Sequence, residues 1–398
     1  MNGLTTLLRA EITQSDIKLL RDFFRERWGE ILPPLRALVE AESPSGDEAG
    51  SRAAVDLLAR AASNLTCVDS VERVEAPGFG QHLIVSAFGR QSASATVLLV
   101  GHTDTVHARG SINERPWRIE KGRIYSPGIF DMKANCILAL KALQACAETG
   151  VVPPHRVTLA LTCDEEVGSF GGWPLLQKLA RDTEVLGALV LEPPAFGGRV
   201  KTGRKGTGIF QLKVEGRAAH AGLEPEKGAS AILEIAKQIQ QLHALNNSGS
   251  GITVNAGVLH GGTRSNVVAA EASAEIDVRF STAEEAKEIE EVFQKIKPFD
   301  DRTRVTVSGG INRPPLERTE KVVELYTLAR SVARALDFDL GEAQVGGASD
   351  GNFLAALGIP VLDGMGIDGD GAHAAHEHIL LSDIPRRGAL LAGLLASI

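Results

Sequence analysis

Short, almost wholly apolar runs recur between helix-patterned stretches in the first half of the chain. HLIVSAF (82–88), TVLLVG (96–101), RVTLALT (156–162) and GALVLE (187–192) each read as a strand that needs cover on both faces. Helical periodicity is clear in 16–42, 47–62 and 133–148. The alternation predicts an α/β layer with a mixed, largely parallel sheet. The texture changes near 206. FQLKVEG (210–216) alternates apolar and polar, as a strand with one wet face does. A helix pattern follows in 228–245, then strands ITVNAGVLHGG (252–262) and SAEIDVRF (273–280), a helix in 283–298 and a strand TRVTVS (303–308). That order is the split βαβ pattern of a small ferredoxin-like domain. A helix in 319–335, the stretch GGASDGNFLAAL (346–357) and the short strand IPVLDG (359–364) return to the first texture. The expected organisation is one domain of 1–205 and 314–398, with an α+β domain of 206–313 inserted into it.

Composition narrows the partners. The 398 residues carry a formal net charge of −8 and no Lys/Arg-rich block, which argues against a nucleic-acid binder. Four cysteines without C-x-x-C spacing read as reduced structural thiols. The first twenty residues lack a basic segment followed by a long apolar one, and no run of 18 apolar residues occurs. The expectation is a cytoplasmic protein with no membrane contact.

Unusual polar residues fall where α/β sheets place their sites, beyond the carboxyl ends of strands. TVLLVGHTDTVH ends a strand with His102 and Asp104, two apart and so on one side. A carboxylate there can fix the imidazole tautomer and raise its basicity as a metal ligand. SPGIFDMKAN puts Asp131 just before a helix, where it also suits an N-cap. CDEEVGS sets Glu165 and Glu166 side by side at the end of a buried strand, where adjacent side chains face apart. LVLEPPAFGG ends a strand with Glu192, and two prolines stop any helix after it. GAHAAHEHIL holds three histidines, of which one or two can share a face. Imidazoles and carboxylates without thiolate suit Zn²⁺, Mn²⁺ or Co²⁺. Two metals need a bridging carboxylate, and the acids are numerous enough to supply one.

These motifs, in this order, resemble the dinuclear-zinc amidohydrolases that include glutamate carboxypeptidase (glucarpidase), aminoacylase, acetylornithine deacetylase and succinyl-diaminopimelate desuccinylase. The resemblance runs from ESPSGDE (42–48) to HAAHE (373–377), and the inserted-domain organisation fits it. It implies two Zn²⁺ per subunit, with Co²⁺ or Mn²⁺ as substitutes. It implies that His102 and Glu192 hold one metal, that Glu166 and His373 hold the other, and that Asp131 bridges them. Asp104 orients His102, and Glu165 is the general base. A cis peptide is implied at Asp131–Met132. His376 and His378 match no ligand position. A glutamate at the Glu192 position goes with carboxypeptidase and deacylase members, an aspartate with aminopeptidases.

In the inserted domain the resemblance implies that His220, in AAHAG, polarises the scissile carbonyl across a subunit boundary. Asn266 in RSNVV contacts substrate, and Arg313 in NRPPLE binds the substrate's free carboxylate. Gly347, in the glycine-rich stretch 346–353, lets backbone approach the substrate. The inserted domain is then a lid and the seam of a homodimer. Ala134–Asn135 and Pro194 depart from common family residues and are expected to line the site. The implied reaction is hydrolysis of an amide next to a free carboxylate in a small peptide, releasing a C-terminal amino acid. An N-acyl amino acid deacylase is the alternative. A non-catalytic binding protein on the same fold, or an interaction protein whose acids merely solvate strand ends, lies outside the enzyme class.

Overall fold

The computed structural model describes residues 12–89, 95–247, 249 and 251–398. Residues 1–11, part of the amino-terminal stretch read above for a targeting signal, lie outside the described residues. The chain forms two compact units. One comprises Met1–Gly203, Arg318–Val345 and Ser349–Ile398, the other Arg204–Glu317 with Gly346–Ala348.

The first unit is built on a six-stranded mixed sheet. Its order is Val68–Ala76, Gly80–Ala87, Arg156–Thr162, Ala95–His102, Glu184–Val190, Val361–Leu362. The first two strands run antiparallel and the last four are mutually parallel. Ala95–His102 is buried along its whole length, as a central parallel strand must be. The helix Ala134–Thr149 is apolar on every side and is buried among Gln14–Arg27, Ile384–Leu395 and the sheet.

Two local readings change. The helical stretch 16–42 divides into Gln14–Arg27, a 3₁₀ turn Trp28–Ile31 and Leu32–Glu40. Pro33 and Pro34 lack the N–H groups that a helix interior needs, so they sit in the first turn of a new helix. The strand Val68–Ala76 is unanticipated. Its partly buried residues recur every third position, a helical rhythm, yet it pairs with Gly80–Ala87 in a hairpin at the sheet edge.

The second unit has a four-stranded antiparallel sheet in the order Thr253–Gly261, Glu271–Phe280, Gly206–Glu215, Arg304–Arg313. Helices Ala231–His243 and Ala283–Gln294 pack on it. This is the ferredoxin-like arrangement. Phe210 of the sheet stacks on Phe293 of the second helix, with ring centroids 3.8 Å apart. Ser230 and Thr282 cap the two helices through their hydroxyls. Gly309 is required where its strand crosses Phe210. Its φ is +91°, and a Cβ there would lie 2.2 Å from the Ile209 carbonyl oxygen.

Candidate metal centre

Three parallel strands end at the same edge of the first unit's sheet, and the chain leaves each of them carrying acid or imidazole. His102 is the last residue of Ala95–His102, with Asp104 just beyond it. Glu165 and Glu166 follow Arg156–Thr162, and Glu192 follows Glu184–Val190. Asp131 lies in the irregular turn Ile129–Lys133 ahead of helix Ala134–Thr149. His373 lies in the turn between the strands Gly369–Asp370 and His378–Leu380.

These seven residues meet. Nε2 of His102 is 3.2 Å from Asp131 Oδ1 and 3.4 Å from Glu192 Oε1. Nε2 of His373 is 3.3 Å from Asp131 Oδ2 and 3.2 Å from Glu166 Oε2. The two oxygens of one aspartate therefore face two different imidazoles, each backed by its own glutamate. Donor atoms of His102, Asp131 and Glu166, and those of His102, Glu165 and Glu192, lie within 4.8 Å of one another.

Asp104 organises this edge. Its Oδ1 accepts the N–H of Glu165 and its Oδ2 the N–H of Glu166, both at 3.2 Å. Oδ2 also accepts the Ser45 hydroxyl at 2.6 Å. Nδ1 of His102 is 3.4 Å from Asp104 Oδ1 but 3.0 Å from the Asp104 carbonyl, so the main chain is the nearer acceptor.

Three expectations from sequence are corrected. Glu165 and Glu166 do not extend the strand, which ends at Thr162. They lie on a 3₁₀ turn, Glu165–Val167, whose N–H groups Asp104 collects. Asp131 does not cap the helix: the N-cap is Lys133, without a side-chain bond, and the Asp131 carboxylate is spent on the histidines. Asn135 does not line an open site. It is fully buried, and its side-chain oxygen accepts the Ile367 N–H at 2.9 Å. The Asp131–Met132 peptide is cis.

Five carboxyl groups against two imidazoles set the electrostatics. Burial opposes charge on His102, but hydrogen bonds to Asp104, Asp131 and Glu192 overcome it and raise its pKa well above the usual value. Asp131 and Glu166 raise that of His373 to about 10. Burial opposes ionisation of Asp131 as well, and bonds to both histidines push it below the ordinary range. Burial raises Glu166. Its Oε1 is buried without a hydrogen-bond partner, a costly state for a carboxylate in a protein interior. An orphaned carboxylate oxygen inside a surplus of acid fits a cation. The donor set, imidazole and carboxylate without thiolate, fits a borderline divalent metal.

The four other residues singled out from sequence lie in the second unit. The backbone of His220 bridges to Val267, and the Ala221 N–H bonds the Asn266 carbonyl at 3.0 Å. His220 and Asn266 are thus neighbours, both exposed. Nδ1 of His220 accepts the N–H groups of Gly222 and Leu223, each at 3.2 Å, which fixes its ring. Arg313 is buried at the end of its strand, 8% exposed. The Gly347 carbonyl accepts from Arg204 Nη1 at 3.1 Å, which ties Gly346–Ala348 to this unit.

The sequence profile described as peptidase family M20/M25/M40 matches residues 98–397. The chain belongs to that family. Carboxypeptidase G2 of Pseudomonas sp. (strain RS-16) is 30% identical over 366 residues, spanning 90% of this chain and 86% of that protein. Succinyl-diaminopimelate desuccinylase of Verminephrobacter eiseniae (strain EF01-2) is 28% identical over 312 residues, 74% and 76% of the two chains. The crystal structure of aminopeptidase PepT from Bacillus cereus ATCC 10987 has the same fold, with a TM-score of 0.73, 23% identity and coverage of 97% and 98%. The protein is a metal-dependent hydrolase of the M20 peptidases. No helix among the described residues is long and apolar enough to cross a membrane.

Two supports of this M20 centre escaped sequence reading. The buried carboxylate of Glu377 accepts the N–H groups of Gly128 at 2.8 Å, Phe130 at 2.8 Å and Asp131 at 3.0 Å, and it lies 2.5 Å from Nε2 of His107. It thereby holds the loop that presents Asp131 against the turn that presents His373. Ser45 steadies Asp104, and Glu42 accepts the N–H groups of Gly110 and Ile112. ESPSGDE is thus a brace behind the strand ends. The available signal was the placement of Glu377 four residues after His373.

Proposed function

We propose that this enzyme hydrolyses an amide bond next to a free carboxylate and releases a C-terminal amino acid from a small peptide or peptide-like substrate. The observation that carries the reading is the split aspartate: Asp131 Oδ1 faces His102 while Oδ2 faces His373. That geometry suits two Zn²⁺ ions, with Co²⁺ or Mn²⁺ as substitutes. His102 and Glu192 would hold one, His373 and Glu166 the other, and Asp131 both. Metals bound there supply Lewis acidity and lower the pKa of a water. Glu165 takes a proton from the attacking water and delivers it to the leaving nitrogen, so the amide becomes a carboxylic acid and an amine. Asp104 holds Glu165 and Glu166 in fixed relation through their N–H groups, which keeps the proton carrier distinct from the ligand.

The printed names of the relatives support the substrate class. Carboxypeptidase G2 favours the exopeptidase, and the glutamate at position 192 agrees. Succinyl-diaminopimelate desuccinylase supports the second reading, an N-acyl amino acid deacylase. In the second unit Arg313 is the proposed carboxylate reader, Asn266 and Gly347 contact substrate, and His220 stabilises the oxyanion from a partner subunit. The edge strand Thr253–Gly261, with exposed Val258 and Leu259 beside exposed Ile232 and Leu233, supports a homodimer formed through this unit. The second unit acts as lid and dimer seam, and the enzyme works in the cytoplasm without nucleic acid or membrane. The test is a panel of N-acyl amino acids and C-terminal Glu, Ala and Leu dipeptides with added Zn²⁺ or Co²⁺. Cleavage of C-terminal dipeptides supports the exopeptidase, and turnover of N-acyl amino acids alone moves the assignment to the deacylase. No turnover of any member, with or without metal, overturns both.

A further inference from the structure

A cavity of about 470 Å³ opens on the first unit. None of the seven metal-centre residues lines it. Its walls come from the short strands Arg123–Tyr125, Gly369–Asp370 and His378–Leu380, and from Phe196 and Gly197. Three features of its lining are unusual together. Arg123 makes no side-chain hydrogen bond or ion pair among the described residues, although two carboxylates, Asp368 and Asp370, line the same cavity. Phe196, one of the lining residues, is 92% exposed. The ring of Tyr125 lies against His378, with centroids 5.0 Å apart and Arg118 over its face at 4.0 Å.

These groups ask for a ligand with both charges and an apolar body. A free guanidinium reads a carboxylate in two parallel bonds. Asp368 and Asp370 suit an ammonium group, and burial already disfavours the ionised form of Asp368, which a bound cation would relieve. The Tyr125 and Phe196 rings suit the apolar part. We propose that this cavity binds a free α-amino acid, the class of product released at the metal centre, and that its occupancy slows turnover. The choice of ligand as product rests on the reaction proposed above, whereas the site itself rests on the lining.

The coupling follows from connectivity. The turn between Asp370 and His378, both cavity residues, carries His373 and Glu377. It is closed by bonds from the Ala374 N–H to Gly371 O and from the Glu377 N–H to Ala374 O. His378 Nδ1 is bonded to the His376 carbonyl at 2.9 Å, which joins the cavity wall to the same turn. Phe196 lies on the segment that leaves Glu192. An occupant therefore presses on the segments presenting His373 and Glu192 without touching either.

The test uses the metal-loaded enzyme, the exposed-site variants Arg123→Gln and Asp370→Asn, and L-glutamate, L-leucine and L-phenylalanine as probes. Calorimetric titration should show binding of at least one amino acid to the wild type, weakened roughly tenfold or more in each variant. In turnover assays the bound amino acid should lower kcat of the wild type. Arg123→Gln should keep the wild-type kcat without amino acid and lose that inhibition. Equal binding in wild type and variants, or inhibition that is purely competitive, would overturn the proposal. If no amide substrate is turned over, the functional reading fails, while the calorimetric comparison still decides the site.

Discussion

The Glu377 carboxylate accepts the main-chain N–H of Asp131 at 3.0 Å across a sequence separation of 246 residues. One buried acid thus sets the relation between the loop of Asp131 and the turn of His373. Replacing it with glutamine keeps the size but puts an NH₂ group where acceptors are needed, leaving N–H donors of the loop unpaired. Glu377→Gln should lower metal affinity or activity by about 10–100-fold, the range seen when residues behind metal ligands are changed. Competition with a chromophoric chelator measures the affinity directly, and wild-type affinity and activity in the variant would remove Glu377 from the account.

Metal uptake should release protons. In the metal-free centre hydrogen bonds to Asp131 and Glu166 raise His373 to about 10, and His102 is also raised. The His373 imidazole is therefore protonated near neutral pH and must lose that proton to become a ligand. Affinity should rise with pH from neutrality toward about 10 and fall as pH drops. Without metal the sign for stability is the opposite: the His373 contribution is present below about 6.5 and is lost as pH rises through about 10. Adding Zn²⁺ to chelator-treated protein in weak buffer with a pH dye should show acidification. Uptake without proton release would contradict the charge arrangement.

His82 supplies an acid-sensitive contact. Its Nδ1 accepts the Cys163 N–H at 3.1 Å, which requires a neutral ring. Burial lowers its pKa to about 4, against the pull of Asp104. The unfolded chain, with a histidine near 6.5, binds more protons between those values. This contribution is thus complete above about 6.5 and is lost as pH falls toward 4, by on the order of 1–3 kcal/mol. His82→Gln keeps an acceptor without the titration. Denaturant midpoints measured from pH 7 to pH 4 should fall less steeply in the variant, and parallel slopes would rule the effect out.

Much of this centre is readable in sequence because its candidate ligands follow strands whose apolar runs announce themselves. His102, Glu192 and the Glu165–Glu166 pair all stand just past such runs, and parallel pairing brings their ends to one edge. What is hidden depends on distance along the chain. Glu377 and Ser45 act on backbone groups and a carboxylate that no periodicity links to them. Asp131 reads as a cap because a helix follows, yet the competition between capping a helix and meeting two imidazoles is decided only in three dimensions. The turn at Glu165 and Glu166 was not legible because it is held by Asp104, 61 and 62 residues away, which collects both N–H groups. Val68–Ala76 was hidden by a three-residue rhythm, and the break in 16–42 was written in Pro33 and Pro34.

The central claim is a division of labour between adjacent glutamates, Glu165 for the proton and Glu166 for the metal. Elemental analysis of purified Glu165→Gln and Glu166→Gln, alongside kcat on the best substrate of the panel, tests it most directly. Glu165→Gln should retain the wild-type metal content and lose about 10²–10⁴-fold in kcat, whereas Glu166→Gln should lose metal as well as activity. Metal loss in Glu165→Gln with full retention in Glu166→Gln would reverse the two roles and contradict the account.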